Sequence, residues 1–327
     1  MTSPKRRVAG LVVAAAIVIA GCGNSTVTPS PRPTAAPPPT PTATPTPTPA
    51  PTPAPTPTPA PTQRIVATVP ADQLVTAGNL TACTDASNPP QESLDATGNP
   101  AGSDVDIATE VAKRLGLKLS VVNLPFLKIG AALSAKQCDI SMTAQAITPG
   151  ALKAAYMIPY FHAGQEFIVP KGNPGAISTV YDLCGKAVGT KKGPAEAAHL
   201  NGKGVYNAAV GLGARFQASG KKTITVKTYA QVSDALVAMT ANQIVAYFAH
   251  SPLAENTVFG QPDKLQVVPG FFLDDATEGI GVLHSKNVIR DAVAKSLQSM
   301  MDDGTYLQIL QKYGIEAGAV ASTVPAS

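Results

Sequence analysis

The side chains that could do chemistry in this 327-residue chain are sparse and widely spaced. Its four cysteines stand at 22, 83, 138 and 184, and its four histidines at 162, 199, 250 and 284. There is no HExxH, no paired CxxC, no Walker loop and no GxSxG, so neither a metal site nor an activated nucleophile is announced by spacing. Gly211-Leu-Gly213 is a fragment of a dinucleotide fingerprint outside its strand-to-helix context. We therefore expect no cofactor and no metal. Three cysteines follow Cys22, which allows one intrachain bridge at most.

These groups need a scaffold, and composition bounds it. Residues 28 to 62 hold 16 of the 31 prolines, alternating with Thr and Ala, and contain no aliphatic side chain larger than Ala. Such a tract cannot bury a core. In polyproline II form it would reach roughly 110 Å at about 3.1 Å per residue. The 265 residues from Gln63 onward exceed what one core usually supports and suit two modest lobes. Lys5, Arg6, Arg7 and Arg32 carry the whole excess of +4, and the remainder holds 21 basic and 21 acidic residues. A balanced folded part offers no stripe for phosphates, and nucleic-acid binding is disfavoured.

The N-terminus places Lys5-Arg6-Arg7 before an apolar run from Val8 to Ala20, a secretory pattern too short for a comfortable membrane span. Ile19-Ala20-Gly21-Cys22 resembles the lipobox of bacterial lipoproteins, which implies an acylated Cys22 as the mature N-terminus; an ordinary signal peptide with an incidental cysteine is the alternative. The expected organisation is a signal peptide over 1–21, an acylated Cys22 with a Pro/Thr linker over 22–62, and a folded domain over 63–327.

Within that domain, Leu80–Cys83 is β-prone. Val105, Ile107, Ala108, Val111, Ala112 and Leu115 recur at helical spacing, Leu117–Val122 reads as a strand, Ile129, Ala132 and Leu133 mark a helix, and Asp139–Met142 another strand. This β-α-β-α-β order predicts a parallel sheet with right-handed crossovers. The pattern restarts with strands at Ala187–Thr190, Thr223–Val226 and Ile244–Phe248, and a helix over Ala230–Met239. Extended segments near Phe167–Val169 and Leu265–Val268 join the units. Helices from Ile289 to Met301 and Thr305 to Tyr313 close the chain.

Asp104-Val-Asp-Ile-Ala108 with Ala112-Lys-Arg-Leu-Gly116, Cys138-Asp139, Ile147-Thr-Pro149, Pro159-Tyr160 with Ala163-Gly-Gln165, Tyr247-Phe-Ala249 with Ser251-Pro252, and Asp302-Asp-Gly-Thr-Tyr306 follow one pattern. It resembles the family 3 extracytoplasmic solute-binding proteins of ABC transporters, polar amino acid type, from about Leu80 to Val320. The resemblance implies an α/β, type II periplasmic-binding-protein fold: lobe 1 about 63–168 and 269–327, lobe 2 about 169–268, two crossovers, and a ligand cleft closed by a hinge.

The cleft residues depart from the family pattern. The arginine position for an α-carboxylate is Ala151. Gly193 is followed by Pro194, which has no hydroxyl and no N–H. The aspartate position for an ammonium is His250. Asn88 and Gln91 replace aromatic residues, leaving Phe126. The resemblance assigns Asp85, Gln91, Phe126, Thr143, Gln145, Thr148, Lys191, Lys192, Gly193, His250 and Glu278 to the cleft. Against that assignment, Lys191 and Lys192 read equally as solvated charges, Asp85 and Thr148 as turn braces, and His250 as a structural histidine.

Cys83 ends the first strand and Cys138 opens the third, which are neighbours in a doubly wound sheet of order 2-1-3, and a disulfide between them is expected, two buried thiols being the alternative. Cys184 is left over. The resemblance implies a monomer that hands a small polar solute, amino-acid-like but without the standard ligating set, to ABC permease and ATPase subunits at a membrane. The alternatives are a sensor lipoprotein and a dehydratase-like enzyme on the same fold, for which His250 with Glu278 is the acid/base candidate.

Overall fold

The computed structural model describes residues 64–192, 200, 220 and 222–324. The signal segment, Cys22, the Pro/Thr tract, Gly193, Pro194 and Gly211-Leu-Gly213 lie outside the described residues.

Strand β1 (Asn79–Thr84) leads through two short strands, β2 (Ser93–Leu94) and β3 (Pro100–Ala101), into helix α1 (Ser103–Arg114). Then follow β4 (Lys118–Asn123), α2 (Phe126–Ser134), β5 (Ile140–Ser141) and α3 (Pro149–Ala154). A 15-residue strand, β6 (Tyr156–Pro170), leads to a second set: β7 (Ala187–Lys191), β8 (Thr225–Tyr229), α4 (Val232–Thr240), β9 (Ala246–His250) and α5 (Ser251–Phe259). β10 (Leu265–Val267), β11 (Leu273–Val282), α6 (Asn287–Asp302) and α7 (Thr305–Tyr313) complete it.

Both parallel sets form as their apolar periods require. β1 pairs in parallel with β4 and β5, and β7 with β8 and β9. The strand order is β4-β1-β5-β11-β6-β9-β7-β8, with β10 on the end of β6. The two sets are joined by the antiparallel pair β6 and β11, far longer than the extended links read from sequence. β6 alternates poorly because most of it is buried on both faces.

One apolar core gathers Leu80, Ile107, Val111 and Ile140 from the first set with Ile280, Val293, Leu297 and Leu310 from the end of the chain. Two others sit on opposite faces of the second set, one around Phe167, Val188 and Phe248, one around Ile168, Met239 and Tyr247. α1 is tied to the closing helices by Arg114, which donates to Asp303, Ser299 and Thr305. The Cys83–Cys138 disulfide is formed, with Cα atoms 5.7 Å apart. It packs against Ile129 and Ala132. Among the described residues no helix is long and apolar enough to cross a membrane.

Candidate functional site

The carboxyl ends of β1, β5 and β9 and the N-terminus of α1 deliver polar side chains to one place, over a floor made by β6 and β11. Ligand sites in open α/β sheets form at such strand ends. The first link is backbone. Ser103 and Asp104 have N–H groups with no intrahelical partner, and these donate to the Pro90 and Gln91 carbonyls at 3.1 and 3.0 Å. Gly102 permits this approach, because a Cβ there would collide with the Gln91 carbonyl. Gln91, Glu92 and Asp104 are thereby held side by side, each 1% exposed.

The second link is a bulge. Glu278 pairs with Phe161 and Gly279 with Pro159, so Tyr160 has no opposite number on β11. Bulges re-aim side chains. Here the Tyr160 hydroxyl donates to Asp104 Oδ2 at 2.7 Å, and its carbonyl accepts from the Tyr306 hydroxyl at 2.6 Å. Gln91 Nε2 donates to Glu278 Oε2 at 2.5 Å, joining residues 187 positions apart. His250, at the end of β9, brings Nε2 within 3.6 Å of Glu278 Oε1.

Three buried carboxyls thus share one region, and burial dominates their electrostatics. It pushes Glu278 up to about 8, assisted by the charge of Asp104 and opposed by the Gln91 hydrogen bond. It raises Asp104 to about 7 against the pull of the Tyr160 hydroxyl and the Ala144 N–H. Glu92 is driven well above its ordinary value by burial and then by Asp104 and Glu278, with a Thr143 hydrogen bond opposing. Burial lowers His250 to about 4. Near pH 7 the His250 and Glu278 pair is therefore neutral on both sides, a proton acceptor facing a proton donor.

The other sequence candidates divide clearly. Thr143 is buried and engaged, its hydroxyl accepting the Asp85 N–H at 3.1 Å. Asp85 braces a turn, Oδ2 accepting the Phe126 N–H at 2.7 Å. The Phe126 ring is 47% exposed at the start of α2. Thr148 caps α3 by accepting from the Ala151 N–H at 3.1 Å. Gln145 is half-buried, its carbonyl accepting from Gly279. Lys191 and Lys192 are exposed. Ala151 is buried. Among the described residues, no group of His, Cys, Asp or Glu could hold a metal ion.

Glu92, Asp104 and Tyr160 were not among the sequence candidates. Asp104 reads from sequence as a helix N-terminal charge. The available signal was Gln91: an amide in an aromatic position, if buried, needs polar company.

The model of the bacterial extracellular solute-binding proteins, family 3, matches residues 80–316. The chain belongs to that family. Among family 3 relatives, the histidine-binding periplasmic protein of Salmonella typhimurium is 26% identical over 240 residues, covering 70% of this chain and 85% of that protein. The lysine/arginine/ornithine-binding periplasmic protein of Escherichia coli is 27% identical over 238 residues, covering 70% and 85%. Among solved structures, an ancestral cationic amino acid solute-binding protein superposes with a TM-score of 0.60 at 25% identity, covering 75% of this chain and 99% of that one. Together with the architecture above, these likenesses make this a family 3 solute-binding protein of the type II periplasmic-binding fold.

Proposed function

We infer that this family 3 protein is the membrane-anchored, extracytoplasmic receptor of an ABC importer and captures a small polar organic solute. The observation that carries the solute half is the convergence of Gln91, Glu278 and His250 at the strand ends where a ligand would lie. The importer half rests on family membership. Permease and ATPase subunits are the partners this reading requires, and a monomer with lobe 1 about 63–168 and 269–327 and lobe 2 about 169–268 is its working unit.

The ligand is not an ordinary α-amino acid on this reading. A zwitterion needs a cation for its carboxylate; Ala151 supplies none, and Lys192 is exposed. An enclosed charge-assisted pair contributes roughly 1.5 to 3 kcal/mol, and an unpaired buried carboxylate costs more than its absence. An anionic solute is disfavoured by the same three buried carboxyls. A thermal-shift screen of polar metabolites tests the reading, because a solute at about 100 times its dissociation constant stabilises by roughly 2.7 kcal/mol. A stabilising solute supports capture; a screen with no response at all contradicts it.

The anchor rests on Cys22. Buried acyl chains contribute about 0.8 kcal/mol per CH₂, sufficient to hold a domain on a stalk with no spanning helix. Cys22→Ser is expected to move the protein from the membrane to the soluble fraction without changing its melting temperature. Continued sedimentation with membranes would contradict acylation.

A second reading, an acid–base enzyme on this fold, is favoured by the 3.6 Å approach of His250 to Glu278. Turnover separates the two: a binder returns its solute unchanged, whereas an enzyme consumes it.

A further inference from the structure

Several buried acceptor atoms in the site have no donor. Gln91 is 1% exposed, and its Nε2 is spent on Glu278, so its Oε1 lies beside that carboxyl with no hydrogen-bond partner. Glu92 Oε2 and Asp104 Oδ1 find no donor outside their own pair, the two carboxyls being hydrogen-bonded to one another. Buried polar atoms are ordinarily satisfied, and a cluster of orphaned acceptors marks a place that an N–H-bearing partner completes. Among the described residues no Lys or Arg ion-pairs with Glu92, Asp104 or Glu278.

Resting on the solute-binding reading, we propose that the solute is a small organic cation with N–H donors and no carboxylate, an alkylamine or alkylguanidine, held by Gln91 Oε1, Glu92, Asp104 and Glu278. The acceptor set matches donors in number and sign. Among the described residues no group of His, Cys, Asp or Glu is placed to hold a metal ion, and the cation proposed carries its charge on N–H bonds. The missing carboxylate follows from Ala151 and from a side-chain cluster that is acidic rather than basic.

The pH dependence follows. Facing these carboxyls are the Tyr160 and Tyr306 hydroxyls, neutral at all relevant pH, and His250, neutral above about 4. Asp85 adds negative charge toward Glu92. Protonated Asp104 and Glu278 must ionise to receive a cation, so binding releases protons and tightens as pH rises from 6 to 9.

Matched pairs test this on the full folded domain: agmatine against arginine, and putrescine against ornithine, each pair differing by the carboxylate. Titration calorimetry in two buffers of different ionisation enthalpy is expected to show the decarboxylated member binding at least 10-fold tighter, with net proton release at pH 7. Equal or tighter binding of the amino acid overturns the proposal, as does proton uptake. If a neutral or anionic metabolite stabilises the domain while neither amine binds, this inference fails and solute capture stands; if no solute of any charge binds, both fail. Glu278→Gln provides a second readout, an expected loss of at least 10-fold in amine affinity together with reduced proton release; unchanged values for both would contradict the assignment.

Discussion

Alanine at both Cys83 and Cys138 is expected to lower the melting temperature of the domain by on the order of 10 °C. The bridge closes a 55-residue interval. In the chain-entropy model such a closure removes about 4 kcal/mol of freedom from the unfolded chain, and a domain of this size loses about 2 to 4 °C per kcal/mol. Packing adds to the cost: both sulfurs are buried beside Ile129 and Ala132, and α2 docks on β1 and β5 there. Differential scanning calorimetry of the oxidised protein and the double variant measures the difference. A shift below about 2 °C would mean that the unfolded chain is already compact across this interval.

The unliganded domain is expected to lose stability as pH rises from about 4.5 to 8, the reverse of a protein whose carboxylates are paired. Glu278 and Asp104 have folded values near 8 and 7 against ordinary values of 4.5 and 3.8. Between these limits the native state holds protons that the unfolded state has released, so each increment of pH favours unfolding. Glu166 and Glu255, raised by burial to about 7 and about 8, act in the same direction. Glu92, also driven up by burial, adds to them, and His250, lowered to about 4, is one group opposing five between about 4 and 6.5. Glu278→Gln keeps the shape and removes the ionisation, so its melting temperature should fall less steeply with pH. Urea denaturation at pH 5, 6.5 and 8 tests both statements, and a wild-type domain more stable at pH 8 than at pH 5 would contradict them.

Much of the framework was legible because periodicity reports burial. The helix through Ile107 and Val111 and the strands through Leu80 and Phe248 follow from apolar spacing, and the order that brings Cys83 beside Cys138 from the rule for doubly wound sheets. The two longest strands were not legible as such. β6 is buried on both faces and so lacks alternation, while β11 carries Asp274, Asp275, Glu278 and two glycines, a composition with little strand preference that pairing to β6 overrides. Gly279 and Gly281 stand where a Cβ would strike Ile147 and Ser141, a packing reason that no local pattern shows.

The site was legible residue by residue and not as a unit. Gln91 and His250 were identifiable as departures from family pattern and Glu278 only as a cleft candidate, but the bond between Gln91 and Glu278 spans most of the domain. Tyr160 reaches Asp104 through a bulge whose position depends on tertiary register. Asp85 and Thr148 were correctly suspected of bracing turns, since their short polar side chains favour local backbone bonds.

The most direct test of the account is mass spectrometry of the small molecules released when the purified native domain is denatured. The account predicts a near-stoichiometric polar solute that is not one of the twenty standard amino acids, and whose addition back to stripped protein restores its melting temperature. Recovery of a standard amino acid that rebinds with submicromolar affinity would contradict it, because a carboxylate would then be accommodated where Ala151 and the buried acidic groups leave it no partner.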